Sequence, residues 1–137
     1  MKKYLIVMFC AVLAVSAYAQ QAKPVATKEN GPVLTFEKNT HDFGDIVQGD
    51  KVEQLFKFTN TGNEPLIITN IQVTCGCTAP EWPRNPIMPG GKGEIKIAFN
   101  SAGKIGRQNK TVTVVSNAVN DGNTISFVTN ILSKNPQ

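Results

Sequence analysis

The sequence predicts an all-β protein whose single domain is a sandwich of about seven short strands. From Val33 onward, short runs of β-branched and aromatic residues are separated by clusters of Gly, Asn, Asp and Pro at fairly even spacing, a pattern typical of such sandwiches. The same stretch contains no helical pattern of convincing length. With 137 residues, the chain has the length of one ordinary domain.

The N-terminus has the pattern of a signal peptide. Two lysines precede an apolar run over residues 4–15, and Ala17-Tyr18-Ala19 supplies the small residues of a cleavage site. Because the run is far shorter than the roughly 20 apolar residues of a membrane-spanning helix, a membrane anchor is the weaker interpretation. We expect a signal peptide over residues 1–19, cleavage before Gln20, and export to the periplasm or cell surface. Cys10 lies in the middle of the run and would be removed with it.

The rest of the chain divides into a linker, one domain and a tail. Residues 20–32 are mostly polar and carry Pro24, Gly31 and Pro32, which predicts a linker. The domain follows over residues 33–132, and residues 133–137 form a polar tail.

The charge balance argues against a nucleic-acid partner. Loss of the two signal-peptide lysines lowers the formal net charge from +4 to +2, and the remaining Lys and Arg are scattered from Lys23 to Lys134. Such scattering gives no footprint for nucleic acid or for an anionic membrane. We expect neither, and no stable membrane insertion once the signal is cleaved.

Alternating apolar residues define the strands. The third strand presents Gln54, Phe56 and Phe58 on one face, and the fifth presents a similar face that should meet it in the core. The predicted strands are residues 33–37, 43–47, 52–59, 66–75, 94–100, 110–116 and 124–132.

Short motifs follow one another along residues 33–128. They are Phe43-Gly44-Asp45-Ile46, Gly49, Phe56-Lys57-Phe58-Thr59-Asn60-Thr61-Gly62, Pro65-Leu66, Thr74-Cys75-Gly76-Cys77-Thr78, Pro86-Ile87-Met88-Pro89-Gly90 and Ser116-Asn117. In this order they resemble the bacterial family known as domain of unknown function 1573. Two of them are also similar to the immunoglobulin-like domains of the ASPM, SPD-2 and hydin group and to the major sperm protein fold. The resemblance implies a seven-stranded immunoglobulin-like sandwich and implies no activity.

The sequence offers no recognisable catalytic machinery. His41 is the only histidine, so any catalytic triad would need it, and its place at the start of a strand favours a structural role. The glycine-rich residues 90–93 lack the strand and helix of a phosphate-binding loop. We therefore expect a protein that is not an enzyme and that holds no cofactor or metal.

Cys75 and Cys77 form the most distinctive motif, and three interpretations compete for them. They could be buried free thiols, a disulfide, or a soft-metal or redox site. Two residues of extended strand span about 6.6 Å between Cα atoms, near the upper limit for a disulfide, although Gly76 can relieve this by kinking. A metal site would need more soft ligands, and only Met88 lies near in sequence.

Trp82 lies in a proline-rich stretch over residues 78–89, which we predict to be a loop that cannot join a sheet. A lone tryptophan beside cysteines favours packing at the end of the core. Because open sandwiches leave unpaired backbone groups at their edges, we expect a partner to bind through strand edges or through the loops at one end, of which this loop is the candidate. These features predict an exported, non-catalytic binding or structural module of the bacterial cell envelope, which would contact an unidentified protein or other envelope partner. The alternative is a thiol redox or copper-handling protein built on Cys75 and Cys77.

Overall fold

The computed structural model describes residues 30–135, which form two four-stranded β-sheets and no helix. The predicted signal peptide, residues 20–29 of the predicted linker and the last two residues lie outside this part of the chain. Within it the strands are β1 Leu34–Phe36, β2 Thr40–Val47, β3 Lys51–Asn60, β4 Ile68–Gln72, β5 Thr78–Glu81, β6 Lys92–Asn100, β7 Gly106–Ser116 and β8 Thr124–Leu132. The prediction of an all-β sandwich is confirmed.

The strands of the two sheets are interleaved along the chain. Sheet 1 has the order β1-β3-β6-β5, and all its neighbours are antiparallel. Sheet 2 has the order β2-β8-β7-β4, and in it β2 runs parallel to β8. Residues 37–39 carry the chain from sheet 1 to sheet 2. β1 is an edge strand of sheet 1, and β2 is an edge strand of sheet 2.

The apolar faces of the two sheets meet in one core. Phe58, Phe99 and Phe127 are its largest side chains, each 1% exposed, and the rings of Phe99 and Phe127 meet across the sheets with centroids 5.3 Å apart. The predicted inward faces of the third and fifth predicted strands belong to β3 and β6, where Phe56 lies opposite Ile95. These strands are neighbours in sheet 1, so both faces point at sheet 2.

The structure has one strand more than predicted. The expectation that residues 78–89 cannot join a sheet is wrong for β5, which pairs with β6. Asn100 N–H donates to Cys77 O at 2.9 Å, so alternation directs the backbone groups of Ala79 and Glu81 toward β6. Pro80, which has no N–H, faces the open side of this edge strand, where proline is tolerated.

The predicted strand over residues 66–75 is shorter in the structure. β4 ends at Gln72, and the chain then crosses from sheet 2 to sheet 1. Cys75-Gly76-Cys77 therefore lies in the turn between β4 and β5. The prediction of a strand up to residue 75 is wrong because this crossing ends the pairing with β7 at Gln72.

The folded unit begins before Val33. Gly31 and Pro32 are buried. Gly31 N–H donates to Asn63 Oδ1 at 2.7 Å, and Pro32 O accepts a hydrogen bond from Val119 N–H at 2.9 Å. The last residues assigned to the linker are thus part of the domain.

Candidate functional site

Cys75 and Cys77 are joined by a disulfide in the turn between β4 and β5. The turn holds their Cα atoms 5.3 Å apart, closer than two residues of extended strand would allow. Both cysteines are half-buried, and the hydroxyl of Thr78 lies 3.8 Å and 3.9 Å from their sulfur atoms. Bonded to each other, the two sulfur atoms present no thiolate to a substrate or a metal.

Trp82 follows β5 and packs against the core as a half-buried side chain. The guanidinium carbon of Arg84 lies 3.8 Å from the centre of its ring, in the arrangement of a cation–π contact. The indole Nε1 is buried and finds no acceptor among the described residues. The ring is therefore covered on one side by the core and on another by Arg84, and little of it is free to stack on a ligand.

His41 lies in β2, on the side of the sandwich away from the disulfide turn. Its ring contacts Phe43 at a centroid distance of 4.5 Å, and no hydrogen bond links it to either cysteine in residues 30–135. Within the same residues no three His, Cys, Asp or Glu side chains gather where they could hold a metal ion. The redox or copper alternative is therefore without support from the arrangement of these residues.

The Asn-Thr-Gly motif is a buried hydrogen-bonding centre. Asn60 is fully buried, and its Oδ1 accepts from the N–H groups of Val33 and Gly62 at 3.2 and 3.0 Å. Its Nδ2 donates to the carbonyls of Glu64 and Ile87 at 2.7 and 2.8 Å. One side chain thus ties together three chain segments, around Val33, Glu64 and Ile87.

The other residues of this motif and the later Ser-Asn motif also serve the fold. A Cβ on Gly62 would lie 2.6 Å from Val33 N, so only glycine fits there. Asn117 Oδ1 accepts from Ile67 N–H at 2.7 Å, and its Nδ2 donates to Pro65 O at 3.1 Å. These two motifs hold loops in place, so their part in the family resemblance is explained by the fold.

The open feature of the domain is one edge of β3. β1 pairs with β3 only as far as Phe36, opposite Phe58, and one further bond joins Glu37 N–H to Lys57 O at 3.0 Å. Over residues 51–56 no described strand lies on this side of β3, although β6 pairs with its other side throughout. Alternation from Lys57 directs the backbone groups of residues 51, 53 and 55 toward the open side.

The side chains beside this open edge are only partly covered. Leu55 is 46% exposed. Gln54, which the alternation places on the core side of β3, is half-buried and donates through Nε2 to Leu55 O at 2.9 Å. The two residues help line a shallow depression of about 240 Å³ between β3 and the start of β2. Here the open edge of sheet 1 at β3 lies beside the edge of sheet 2 at β2, and no described strand covers the space between them.

The other sheet edges are protected. Asn120 bonds both the N–H and the C=O of Leu34 at 2.9 Å, which caps β1. Asn70 Oδ1 accepts from the outward N–H of Ile71 in β4 at 2.9 Å. Pro80 removes a donor from β5, and the register of β2 shifts between Asp42 and Asp45. Native sheets use such devices to prevent unwanted strand pairing.

Sequence reasoning did not identify the open edge of β3. An edge strand is one that lacks a neighbouring strand on one side, and the sequence does not show which strands pair. One signal was present: Gln54 is a polar residue in a row of core-facing positions, next to Phe56 and Phe58. A polar residue is tolerated at position 54 because no strand covers its side chain.

The outer face of sheet 1 is strongly charged. Lys96 Nζ lies 3.1 Å from Glu81 Oε2. The hydrogen bond that Lys96 donates to the Glu81 carboxylate, followed by the negative charge of Glu53, raises the pKa of Lys96 above its usual value. This face is a solvated network of long charged side chains. Between residues 30 and 135 we find no helix that is long and apolar enough to cross a membrane.

Known structures share this architecture. A crystal structure of a protein of unknown function from Porphyromonas gingivalis W83 is 18% identical, with a TM-score of 0.64 over 78% of this chain and 50% of that chain. The ASH/PapD-like domain of human CEP192 is 13% identical, with a TM-score of 0.52 over 76% of this chain and 87% of that one. The secreted serine protease VesC from Vibrio cholerae is 14% identical, with a TM-score of 0.51 over 74% of this chain and 23% of that one.

These likenesses concern the fold alone. The chain spans half the length of the Porphyromonas protein and less than a quarter of the protease, and no curated protein matches it. The PapD-like neighbour agrees with the immunoglobulin-like fold that the sequence motifs imply. A family of proteins of unknown function matches residues 34–131, nearly the whole of the described domain. The chain therefore belongs to the family described as protein of unknown function (DUF1573).

Proposed function

We propose that this chain is an exported, non-catalytic binding or structural module of the cell envelope, and that it binds an extended segment of a partner protein along the open edge of β3. Export is supported by the N-terminal sequence pattern. The non-catalytic part is supported by the disulfide that engages Cys75 and Cys77 and by the distance in the fold between these residues and His41.

The β3 edge is the observation that carries the proposal. β3 pairs with β6 at nine consecutive positions without a bulge, so it presents a regular row of backbone groups. Residues 51–56 leave one side of that row open except at Leu55 O, which accepts from Gln54 Nε2, whereas the other sheet edges are capped or interrupted over more of their length. An extended peptide can add to such an edge as a new strand, because its own N–H and C=O groups complete the ladder.

The side chains along the edge define the partner's chemistry. Lys51, Glu53 and Leu55 occupy every second position along β3, and all three are exposed. A complementary segment would place an acidic, a basic and an apolar side chain opposite them, because cross-strand pairs of this kind are favourable. A second copy of this chain fits poorly, since antiparallel self-pairing centred on Glu53 sets two carboxylates opposite each other.

The test removes the backbone donor without removing the fold. Glu53→Pro deletes an N–H that faces the open side and makes no bond to β6, whereas Glu53→Ala removes only the side chain. Each chain, from Gln20 to Gln137, is used to recover partners from the native envelope, which are identified by mass spectrometry. The proposal expects recovery with wild type and with Glu53→Ala, loss with Glu53→Pro, and similar melting temperatures for all three.

Trp82→Ala separates the edge from the loop. The ring packs against the core, so we expect this variant to lose stability but, below its melting temperature, to recover the same partner. Loss of the partner with Trp82→Ala and retention with Glu53→Pro would move the binding site to the loop over residues 82–91.

A further inference from the structure

The outer faces of the two sheets differ in kind. On sheet 1, β3 and β6 expose Lys and Glu in alternation. On sheet 2, the outward positions of all four strands carry neither Lys nor Glu: they are Thr40, Asp42, Asp45, Val47, Asn70, Gln72, Arg107, Asn109, Thr111, Thr113, Val115, Thr124, Ser126, Val128, Asn130 and Leu132. Lys and Glu are depleted at protein interfaces, and ordering their long side chains costs entropy. The short side chains of sheet 2 form a surface suited to contact.

One end of this face is apolar. Val47 lies opposite Leu132 in the β2–β8 pairing, and Ile105 comes next to Leu132 on the other side, because Gly106 pairs with Ile131. We call these three residues the aliphatic row. They are 41%, 45% and 59% exposed, whereas Ile131 is buried. The row runs from β2 across β8 to the residue before β7, and all three side chains face solvent among the described residues.

Charges on the face are opposite in sign on its two sides. The row next to the aliphatic row runs from Asp45 on β2 through Asn130 on β8 to Arg107 on β7. Asn130 Nδ2 donates to Asp45 Oδ1 at 2.9 Å. Beside the aliphatic row, Asp50 Oδ2 accepts from Val47 N–H at 2.9 Å, and Lys104 precedes Ile105. The acidic side chains thus lie on the β2 side and the basic ones on the β7 side.

We propose that a second copy of this chain packs on the outer face of sheet 2, about a twofold axis parallel to β8. Such an axis sets β8 against itself and β2 against the β7 of the other copy. Asp45 then faces Arg107, Val47 faces Ile105, and Leu132 meets Leu132. In the remaining rows Asp42 faces Asn109, and Thr, Ser and Val side chains face one another, so the face is self-complementary, as a twofold interface requires.

The size of the face agrees with a weak dimer. A twofold axis along β8 overlaps β2, β8 and β7 of the two copies and leaves β4 outside the contact. Three strands at a spacing of about 4.8 Å and a rise of about 3.3 Å per residue over nine residues give roughly 430 Å² per copy. Both copies together would bury about 860 Å², which is in the range of weak, transient interfaces. This proposal is independent of the β3 edge, which belongs to the other sheet and stays accessible in the dimer.

The test uses charge reversal at the facing pair. Sedimentation equilibrium on residues 20–137 should show wild type as a monomer–dimer mixture that shifts toward dimer up to several hundred micromolar. Asp45→Arg and Arg107→Asp each set like charges opposite each other twice, so each alone should weaken the dimer at least about tenfold. An equimolar mixture of the two variants should restore dimer, because every facing pair is then attractive. The double variant should also restore it.

Glu53→Arg is the matched control, because it reverses a charge on the outer face of sheet 1 and should leave the dimer unchanged. Circular dichroism melts of each variant verify the fold. A wild type that stays monomeric at all concentrations overturns the proposal. So does dimerisation of the two single variants at wild-type strength, a mixture that fails to restore dimer, or an equal loss with Glu53→Arg.

Discussion

Replacement of Asn60 by alanine tests whether the Asn-Thr-Gly motif acts as a structural centre. The side chain makes four hydrogen bonds in a fully buried position. Alanine would leave two N–H groups and the C=O of Glu64 without partners, whereas the C=O of Ile87 keeps the hydrogen bond from Leu66 N–H. A buried backbone group without a partner costs about 1–3 kcal/mol. Because water can enter the space left by the amide and bond some of these groups, we expect a loss of about 3–5 kcal/mol in the free energy of unfolding.

The loss is large enough to measure in two ways. Urea unfolding can be followed by the fluorescence of Trp82, the only tryptophan, and a thermal melt should show a decrease in Tm of at least about 12 °C for a domain of this size. Asn109→Ala is the control, because Asn109 is exposed on β7, and its loss should stay within about 0.5 kcal/mol. A loss below about 1 kcal/mol for Asn60→Ala would refute the reasoning that this amide holds the loops together.

Three further predictions follow from the packing and from the N-terminal pattern. Gly93→Ala should lower the free energy of unfolding by about 1–3 kcal/mol, since the new Cβ would lie 2.5 Å from the buried Phe58 ring. In Gly76→Ala the new Cβ would meet nothing within 4 Å, so this variant should be nearly neutral. Equal losses of stability in the two variants would contradict the steric argument. Joint replacement of Cys75 and Cys77 by serine should cost at most about 1.6 kcal/mol from loop closure, and a loss well above this in urea unfolding would mean that the disulfide does more than close a short loop. The intact mass of protein isolated from its native host should correspond to a chain that begins at Gln20, and recovery of a species that retains Met1 would show that no signal peptide is removed.

Local patterns in the sequence were enough to predict the all-β sandwich and most of its strands. Period-two alternation identifies a strand with one buried face, so the residues of β3, β6 and β8 were placed within two residues of their observed ends. The motifs also led to the family. The same patterns predicted a loop in place of β5. Proline lacks an N–H and fits a strand only where no neighbouring strand lies on the side that its nitrogen faces. Sequence alternation does not report which neighbours exist.

Only the tertiary structure decided what lies at the edges and on the outer faces. Cys75 and Cys77 were visible in the sequence, but the crossing from sheet 2 to sheet 1 places them in a turn. The open side of β3 exists because β1 stops at Phe36. The row from Asp45 through Asn130 to Arg107 exists because β2 pairs with β8, which is distant from it in sequence, in register with the β7–β8 pair. Strand pairing joins residues through backbone hydrogen bonds that are alike for all side chains. The order of the strands, and with it every surface built across them, is therefore decided by how the whole core packs.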